Sequence, residues 1–163
     1  MSVVIISRQR TRKINARLLR HIIAALLAEL EIENAELGIN LVSAKKMTAV
    51  NWQFLHHAGS TDVITFDHHD ARAGIPLPAV RAYGVTRTAL HGELFICVDD
   101  AVAQAKKFGV SWQSEITRYV IHGVLHLLGH DDQHTAARST MKCEENRLLC
   151  RLAKEFPLTR LAR

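Results

Sequence analysis

Short runs of alternating or β-branched residues separate longer stretches in which apolar residues recur at helical spacing. Alternation predicts half-buried strands, whereas apolar residues at i, i+3 and i+4 predict amphipathic helices. Strands are therefore predicted at residues 2–7, 36–43, the later part of 59–66, and 92–98. Helices are predicted at 11–30, 44–55, 111–128 and 135–155, with another that ends at Phe108. Asp99 or Asp100 is expected to cap the helix that ends at Phe108, and Ser111 the helix at 111–128.

These elements predict an α+β fold, a small mixed sheet of about four strands packed with about five helices. The chain has 163 residues, which fits a single domain over 1–163 with a full-sized core. The apolar pattern around His122 and His126 indicates that the helix at 111–128 is central and buried on most sides. Residues 67–90 read as irregular, and their His68-His69-Asp70 cluster is interpreted as an exposed polar loop.

Composition and charge narrow the class of protein. Hydrophobic residues make up 48% and charged residues 23%, as in ordinary globular proteins. The 21 basic and 16 acidic side chains give a net charge of +5, which favours a polyanionic partner such as nucleic acid. No apolar run approaches the roughly 20 residues of a membrane-spanning helix. The three cysteines form no C-x-x-C pair and indicate reduced thiols in a cytosolic protein, with Cys143 and Cys150 expected in the core.

The strongest chemical signal is the stretch from His122 to Asp132. His122 and His126 are four residues apart, so on a helix their Cβ atoms lie about 5–6 Å apart on one face. That spacing lets two imidazoles share one cation at about 2.0–2.1 Å. Gly129 can end the helix in the left-handed conformation, which lets Asp132 return as a third ligand. Three protein ligands leave a coordination position open, as in catalytic zinc sites.

One position in this stretch argues against peptide hydrolysis. Zinc peptidases of the His-Glu-x-x-His type place a general-base Glu directly after the first histidine. Here that position is Gly123, which has no side chain. Metal ligation is therefore retained, whereas the peptidase base is missing. A zinc peptidase is thus the least favoured of the functions considered.

The stretch His122-Gly-x-Leu-His-Leu-x-Gly-x-Asp resembles the signature of the YbeY family of bacterial metal-dependent endoribonucleases. Asn51-x-x-Phe54 with Thr61-Asp-Val-Ile-Thr-Phe66 is similar to a helix-to-strand segment of the family, and Gly92-Glu-Leu-Phe-Ile to its edge-strand segment. The resemblance covers about residues 36–134. It implies a single-strand-specific endoribonuclease with one Zn²⁺ per chain. It also implies cytoplasmic partners, namely rRNA and the small ribosomal subunit, and roles in 16S rRNA 3'-end maturation and ribosome quality control.

Two departures from the family pattern bear on activity. The third ligand of the family is usually His, and this chain has Asp132, with His130 as a possible substitute. The family also usually has Arg after the aromatic residue of the Asn-x-x-Phe block, where this chain has Leu55. His56 or His57 could compensate. The missing Arg favours a second hypothesis, a weakly catalytic or non-catalytic RNA-binding ribosome assembly factor with a structural zinc.

In the preferred mechanism, His122, His126 and Asp132 hold Zn²⁺ and an open position takes water or a phosphate oxygen. The general base is not assigned. Asp131 and His130 are the candidates, although Asp131 fits better as a group that orients a histidine. Glu93 is interpreted either as another such supporting group or as a sheet-edge residue.

Overall fold

The computed structural model describes residues 1–68, 77–78 and 89–163. The strands are β1 (Ser2–Ser7), β2 (Asn34–Val42), β3 (Val63–Asp67), β4 (Leu77–Pro78) and β5 (Ala89–Cys97). The α-helices are α1 (Ala16–Glu29), α2 (Ala44–Leu55), α3 (Val98–Phe108), α4 (Trp112–Leu127) and α5 (Thr135–Glu155), and a 3-10 turn follows at Leu158–Leu161. The predicted α+β class is confirmed. His69 and Asp70, from the predicted polar loop, lie outside the described residues.

The strands form one mixed sheet in the order β1-β2-β5-β3-β4. β1 pairs with β2 and β2 with β5 in parallel, whereas β3 pairs with both β5 and β4 in antiparallel orientation. β5 therefore lies inside the sheet. The edge-strand reading of Gly92-Glu-Leu-Phe-Ile is wrong, because β2 and β3 cover both edges of that segment.

The two faces of the sheet carry different cores. On one face, Leu37, Leu94 and Ile96 pack with α1, α3, α4 and α5 in the larger cluster. On the other face, Ile64 and Phe66 pack under α2 in a smaller cluster. Alternate side chains along a strand point to opposite faces, so neighbouring strand residues enter different clusters. α4 touches β3, β5, α3 and α5, which confirms the predicted central position of this helix.

Side-chain caps set several of the helix starts. Asn15 accepts from Leu18 N at 3.1 Å, so α1 begins at Ala16 and not at the predicted residue 11. Ser111 accepts from Ser114 N at 3.1 Å, as predicted for the start of α4. The predicted caps at Asp99 and Asp100 are wrong, because both lie within the first turn of α3. Asp99 instead accepts from Ala44 N at 2.6 Å, at the start of α2.

Two further observations concern the surface. Cys143 and Cys150 are exposed on α5, so the expectation that they lie in the core is wrong. The buried stripe of α5 is instead Met141, Glu145, Leu148 and Leu152.

Among the helices that the structure describes, none has the length and apolarity needed to cross a bilayer.

Candidate metal centre

α4 holds both predicted histidine ligands in a rigid setting. Residues on either side of them, including Ile121, Val124 and Leu125, are fully buried in the larger cluster. His122 and His126 are only partly buried, with side-chain exposures of 20% and 22%. The helix is therefore anchored by its apolar neighbours, while one edge of each imidazole stays accessible.

The structure brings the three predicted ligands together. His122 Nε2 and His126 Nε2 lie 2.9 Å apart. Asp132 Oδ2 lies 3.9 Å from His122 Nε2 and 3.7 Å from His126 Nε2. In the described part of the chain, these residues are the one group of three or more His, Cys, Asp or Glu with ligand atoms all within 4.8 Å of one another. The imidazole of His130 is not in that group.

The turn after α4 places Asp132. Gly129 adopts φ 92°, and its N–H donates to His126 O at 2.9 Å, while His130 N donates to Leu125 O at 3.0 Å. This left-handed glycine after the helix end reverses the chain, as the sequence predicts. The Asp132 side chain is 42% exposed, so the carboxylate forms the solvent side of the triad.

The outer nitrogens of both imidazoles have acceptors. His122 Nδ1 lies 2.6 Å from Glu145 Oε1, and His126 Nδ1 lies 3.1 Å from the carbonyl oxygen of His130. A carbonyl can only accept, so Nδ1 of His126 carries the proton, and an ionised Glu145 requires the same of His122. Both Nε2 lone pairs then face each other and Asp132. This set of ligand atoms fits a divalent cation. With no cation between them, the two lone pairs and the carboxylate repel one another.

Glu145 also controls the charge of His122. Burial alone lowers the pKa of His122, but the hydrogen bond and negative charge of Glu145 outweigh it and raise the pKa above its ordinary value. Arg118 Nη1 in turn lies 3.5 Å from Glu145 Oε2. The chain Arg118–Glu145–His122 thus fixes the ring and its tautomer, a common arrangement behind metal-ligating histidines.

The position after His122 faces the sheet. A Cβ on Gly123 would lie 2.8 Å from Leu94 Cδ2 and 3.2 Å from Val63 Cγ1. A glutamate there would enter the core and not the triad. The structure therefore gives a packing reason for the missing peptidase base.

The sequence comparison decides the family. The family model described as endoribonuclease YbeY matches residues 2–153. The chain belongs to the endoribonuclease YbeY family. The resemblance seen in the motif stretches therefore extends over nearly the whole chain.

Relatives named endoribonuclease YbeY are similar along most of this chain. One from Geobacter metallireducens is 27% identical over 95% of this chain and 98% of its own length. One from Elusimicrobium minutum is 30% identical over 80% of this chain and 83% of its own. A Myxococcus xanthus relative is 34% identical over 82% of this chain, which spans only 42% of that protein. A solution structure of a Thermotoga maritima protein shares the fold, with TM-score 0.61, 22% identity and coverage of 94% and 91%.

The family Arg position and its possible substitutes lie on α2. Leu55 is the last residue of that helix and packs against the smaller cluster. His56 follows in a left-handed conformation with φ 54°, and its ring meets Trp52 edge-on. Neither His56 nor His57 joins the ligand group.

The remaining candidates are placed as follows. Asp131 is buried, and its Oδ1 accepts from Gln133 N at 2.9 Å, which supports the turn that carries Asp132. Glu93 faces away from α4, where its Oε1 accepts from Asn40 Nδ2 at 2.5 Å. Both readings of Glu93 are wrong, because it lies on the opposite face from the triad and on an interior strand.

Sequence reasoning missed two residues at this centre. Glu145 is a carboxylate inside the apolar stripe of α5, and a buried charge in such a stripe needs a partner, which could have flagged it. Arg138 donates from Nε to the backbone oxygen of Asp132 at 2.9 Å. Nothing in the sequence pattern marks Arg138, since it is one exposed arginine among several.

Proposed function

We propose that this chain is a zinc-dependent endoribonuclease that hydrolyses phosphodiester bonds in single-stranded RNA at the His122–His126–Asp132 site. The observation that carries the proposal is the convergence of both Nε2 atoms and Asp132 Oδ2 on one point. Two imidazoles and a carboxylate are ligands that Zn²⁺ accepts, and three protein ligands leave a position open. The names of the YbeY relatives support an RNA substrate.

Each residue of the centre has a defined task in this proposal. His122, His126 and Asp132 hold the ion, and Glu145 and the His130 carbonyl hold the proton of each neutral ring on Nδ1, which leaves the Nε2 lone pairs for the ion. When bound, zinc supplies Lewis acidity toward a phosphoryl oxygen and lowers the pKa of a water molecule to about 7. The 42% exposure of Asp132 leaves the solvent side open to a flexible strand. Base-paired RNA, with its backbone held in a helix, fits such a site less well.

Arg138 is our candidate for the basic group that meets the phosphate. Its Nε donates to the backbone oxygen of Asp132, and its terminal nitrogens have no acceptor among the described residues. A guanidinium held beside a ligand residue can contact phosphate with two donors. Arg138 would then supply the positive charge that, in other family members, comes from an Arg at the position of Leu55.

The cellular role that fits this activity is rRNA processing on the small ribosomal subunit in the cytoplasm, including 16S rRNA 3'-end maturation and ribosome quality control. The net charge of +5 suits a polyanionic partner. The three cysteines are free thiols, which suits a reducing compartment. We treat residues 1–163 as one domain in this role.

A second candidate function is an RNA-binding assembly factor with a structural zinc. Leu55 at the family Arg position is the observation that favours it. A structural zinc stabilises the fold directly, whereas an open catalytic site contributes less to folding. The two functions therefore differ in what happens to the fold when a ligand is removed.

The test is cleavage of a single-stranded ribosomal RNA fragment by wild type and His126→Ala, purified side by side with metal content measured. We expect cleavage by wild type alone, with about one zinc per chain that the variant loses. Cleavage by neither protein, with zinc still bound to wild type, would support the assembly factor instead.

The source of the basic group is tested with two further variants. If Arg138 meets the phosphate, Arg138→Ala should slow cleavage without loss of zinc, and Arg138→Lys should restore it only partly. If a basic group still limits the rate, Leu55→Arg should raise cleavage. An unchanged rate in Leu55→Arg would mean that the absence of the family Arg does not limit cleavage.

A further inference from the structure

A cavity separate from the metal triad lies along α4, one turn before His122. It has a volume of about 510 Å³ and opens between α3, α4 and the segment before β3. No member of the metal triad lines it. The residues that matter below are Asp62, Asp100, Gln104, Glu115 and Tyr119.

The cavity is acidic although the chain is basic overall. Asp62, Asp100 and Glu115 line it, and the lining includes no Lys, Arg or His. Glu115 is only 8% exposed, and burial is the main cause that raises its pKa. Its partner Arg118 approaches from outside the lining, with Nε 3.6 Å from Glu115 Oε1. Excess negative charge of this kind favours a cationic ligand.

A largely buried tyrosine opens its hydroxyl to the same cavity. Tyr119 is 5% exposed and lines the cavity, yet its hydroxyl makes no hydrogen bond with any residue that the structure describes. Burial, and then the charges of Asp62, Glu115 and Asp100, raise the pKa of Tyr119, so the hydroxyl lies within the field of these carboxylates. No fully buried side-chain nitrogen or oxygen in the described part of the chain lacks a partner, so this hydroxyl is accessible from the cavity. It is free to hydrogen-bond to a ligand that enters the cavity.

The spacing of the carboxylates selects against a single metal ion. Asp62, Asp100 and Glu115 do not form a group whose ligand atoms all lie within 4.8 Å, unlike the His122 triad. One small ion could therefore not contact all three. A larger cation with several donors can span them. A guanidinium has five N–H donors in one plane and also stacks on aromatic rings such as Phe108 at the rim.

We propose that the cavity between α3 and α4 binds a guanidinium group, with Asp62, Asp100 and Glu115 as acceptors and the Tyr119 hydroxyl as a further contact. Gln104 offers an additional carbonyl acceptor on the same wall. The ligand is either a free guanidinium compound or the arginine side chain of a partner protein. The proposal does not rest on nuclease activity, because the cavity shares no lining residue with the triad.

The experiment is calorimetric titration of the full chain, without RNA, with agmatine as the free guanidinium probe. Tyr119→Phe removes only the hydroxyl that lacks a partner, so the variant should fold as wild type does. Asp100→Asn removes one acceptor charge from a partly exposed part of the wall. Glu155→Gln makes the same change of charge on α5, far along the chain from the cavity lining, and serves as the matched control.

We expect saturable agmatine binding by wild type and by Glu155→Gln. In Tyr119→Phe and in Asp100→Asn, the affinity for agmatine should fall by at least about tenfold. 1,5-Diaminopentane, which carries the same charge of +2 as agmatine but no planar guanidinium, should bind more weakly than agmatine. No saturable binding, equal affinity in all four proteins, or displacement of agmatine by stoichiometric Mg²⁺ would each overturn the proposal.

A third probe distinguishes the two sources of the guanidinium. An acetylated and amidated Gly-Arg-Gly peptide carries the group on a protein backbone. Competition between this peptide and agmatine would assign the cavity to an arginine of a partner protein. Binding of agmatine alone would assign it to a free small molecule. Both results support the guanidinium site.

Discussion

Two histidine pairs lie on opposite faces of the sheet and differ in what their nitrogens face. His122 and His126 have ring centroids 4.4 Å apart, with Nε2 atoms 2.9 Å apart. His68 and His91 have ring centroids 5.4 Å apart, but their Nε2 atoms face different carboxylates. His68 lies 3.9 Å from Glu93, and His91 lies 3.6 Å from Glu36.

The contrast shows that proximity of two imidazoles alone does not give a candidate metal centre. In the α4 pair, an acceptor on each Nδ1 turns both Nε2 lone pairs toward Asp132. In the other pair, the two Nε2 atoms approach different carboxylates, so no single point is shared by both imidazoles and one carboxylate. A metal site therefore depends on partners behind the ligands as much as on the ligands themselves.

The largest expected effect separates the two pairs directly. His126→Ala should abolish tight zinc binding while the chain stays folded, because the apolar residues of α4 remain buried and Ala favours helix. His91→Ala should leave zinc binding unchanged. Metal analysis and circular dichroism of both variants measure this. An unfolded His126→Ala protein would favour the structural-zinc function, and zinc loss in His91→Ala would break the contrast.

The next effect tests the partner behind the ligand. Glu145→Gln should weaken zinc binding by about 10–100-fold, because the acceptor behind His122 loses its charge. Glu93→Gln, the matched change on the opposite face, should leave zinc affinity as it is. Competition with a chelator gives both affinities. Equal losses in the two variants would mean that Glu145 does not act through His122.

A stability difference is expected between glycines on the two faces. A Cβ on Gly92 would lie 2.8 Å from Leu127 Cδ1 and from the Phe66 backbone oxygen, whereas one on Gly38 would lie 3.3 Å from Glu93 Cγ. Gly92→Ala should therefore cost about 1–3 kcal/mol of unfolding free energy. Gly38→Ala should cost less, since the Glu93 side chain can move aside. Urea denaturation measures both, and a Gly38→Ala loss as large as that of Gly92→Ala would contradict the packing difference.

The smallest effect concerns a partly exposed ion pair on α5 that contacts neither histidine pair directly. Arg147 donates to Glu144 at 2.9 and 2.8 Å, and these hydrogen bonds lower the pKa of Glu144. A group whose pKa is lower in the folded state than in the unfolded state stabilises the protein at pH values above its unfolded-state pKa. This stabilisation is lost as the pH falls through the folded-state pKa. Glu144→Gln should cost less than about 1 kcal/mol near neutral pH, because the pair is partly exposed.

The pH dependence checks the cause of that loss. The difference in unfolding free energy between wild type and Glu144→Gln should shrink at acidic pH, where Glu144 is protonated in both states. High salt should shrink it as well. A difference that stays constant from neutral to acidic pH would mean that the charge is not its source.

Local patterns predicted the helices well where a cap and a periodic stripe coincide. Ser43 caps α2 and Ser111 caps α4, and the observed helices start directly after them. The start of α1 was placed too early because apolar periodicity continues through residues that precede the Asn15 cap. The cap predicted at Asp99 is wrong for another reason. Its carboxylate accepts from the start of α2, a helix that is distant in sequence.

Non-local contacts were beyond the reach of sequence patterns. Spacing along α4 placed His122 and His126, and Gly129 placed the turn, but no local signal shows that Glu145 comes from another helix to His122 Nδ1. The order of the strands is non-local in the same way, so no local pattern shows that β5 lies inside the sheet, and the edge position that the family resemblance implied is wrong. Glu93 was misplaced with it, since its face follows from strand pairing and packing.

The most direct test is RNA cleavage during stepwise zinc titration of the metal-free chain, with His126→Ala in parallel. We predict that cleavage of single-stranded RNA rises with added zinc, reaches a plateau near one ion per chain, and stays at background in His126→Ala. Cleavage by the metal-free protein, or equal cleavage by His126→Ala, would contradict a nuclease centre at His122, His126 and Asp132.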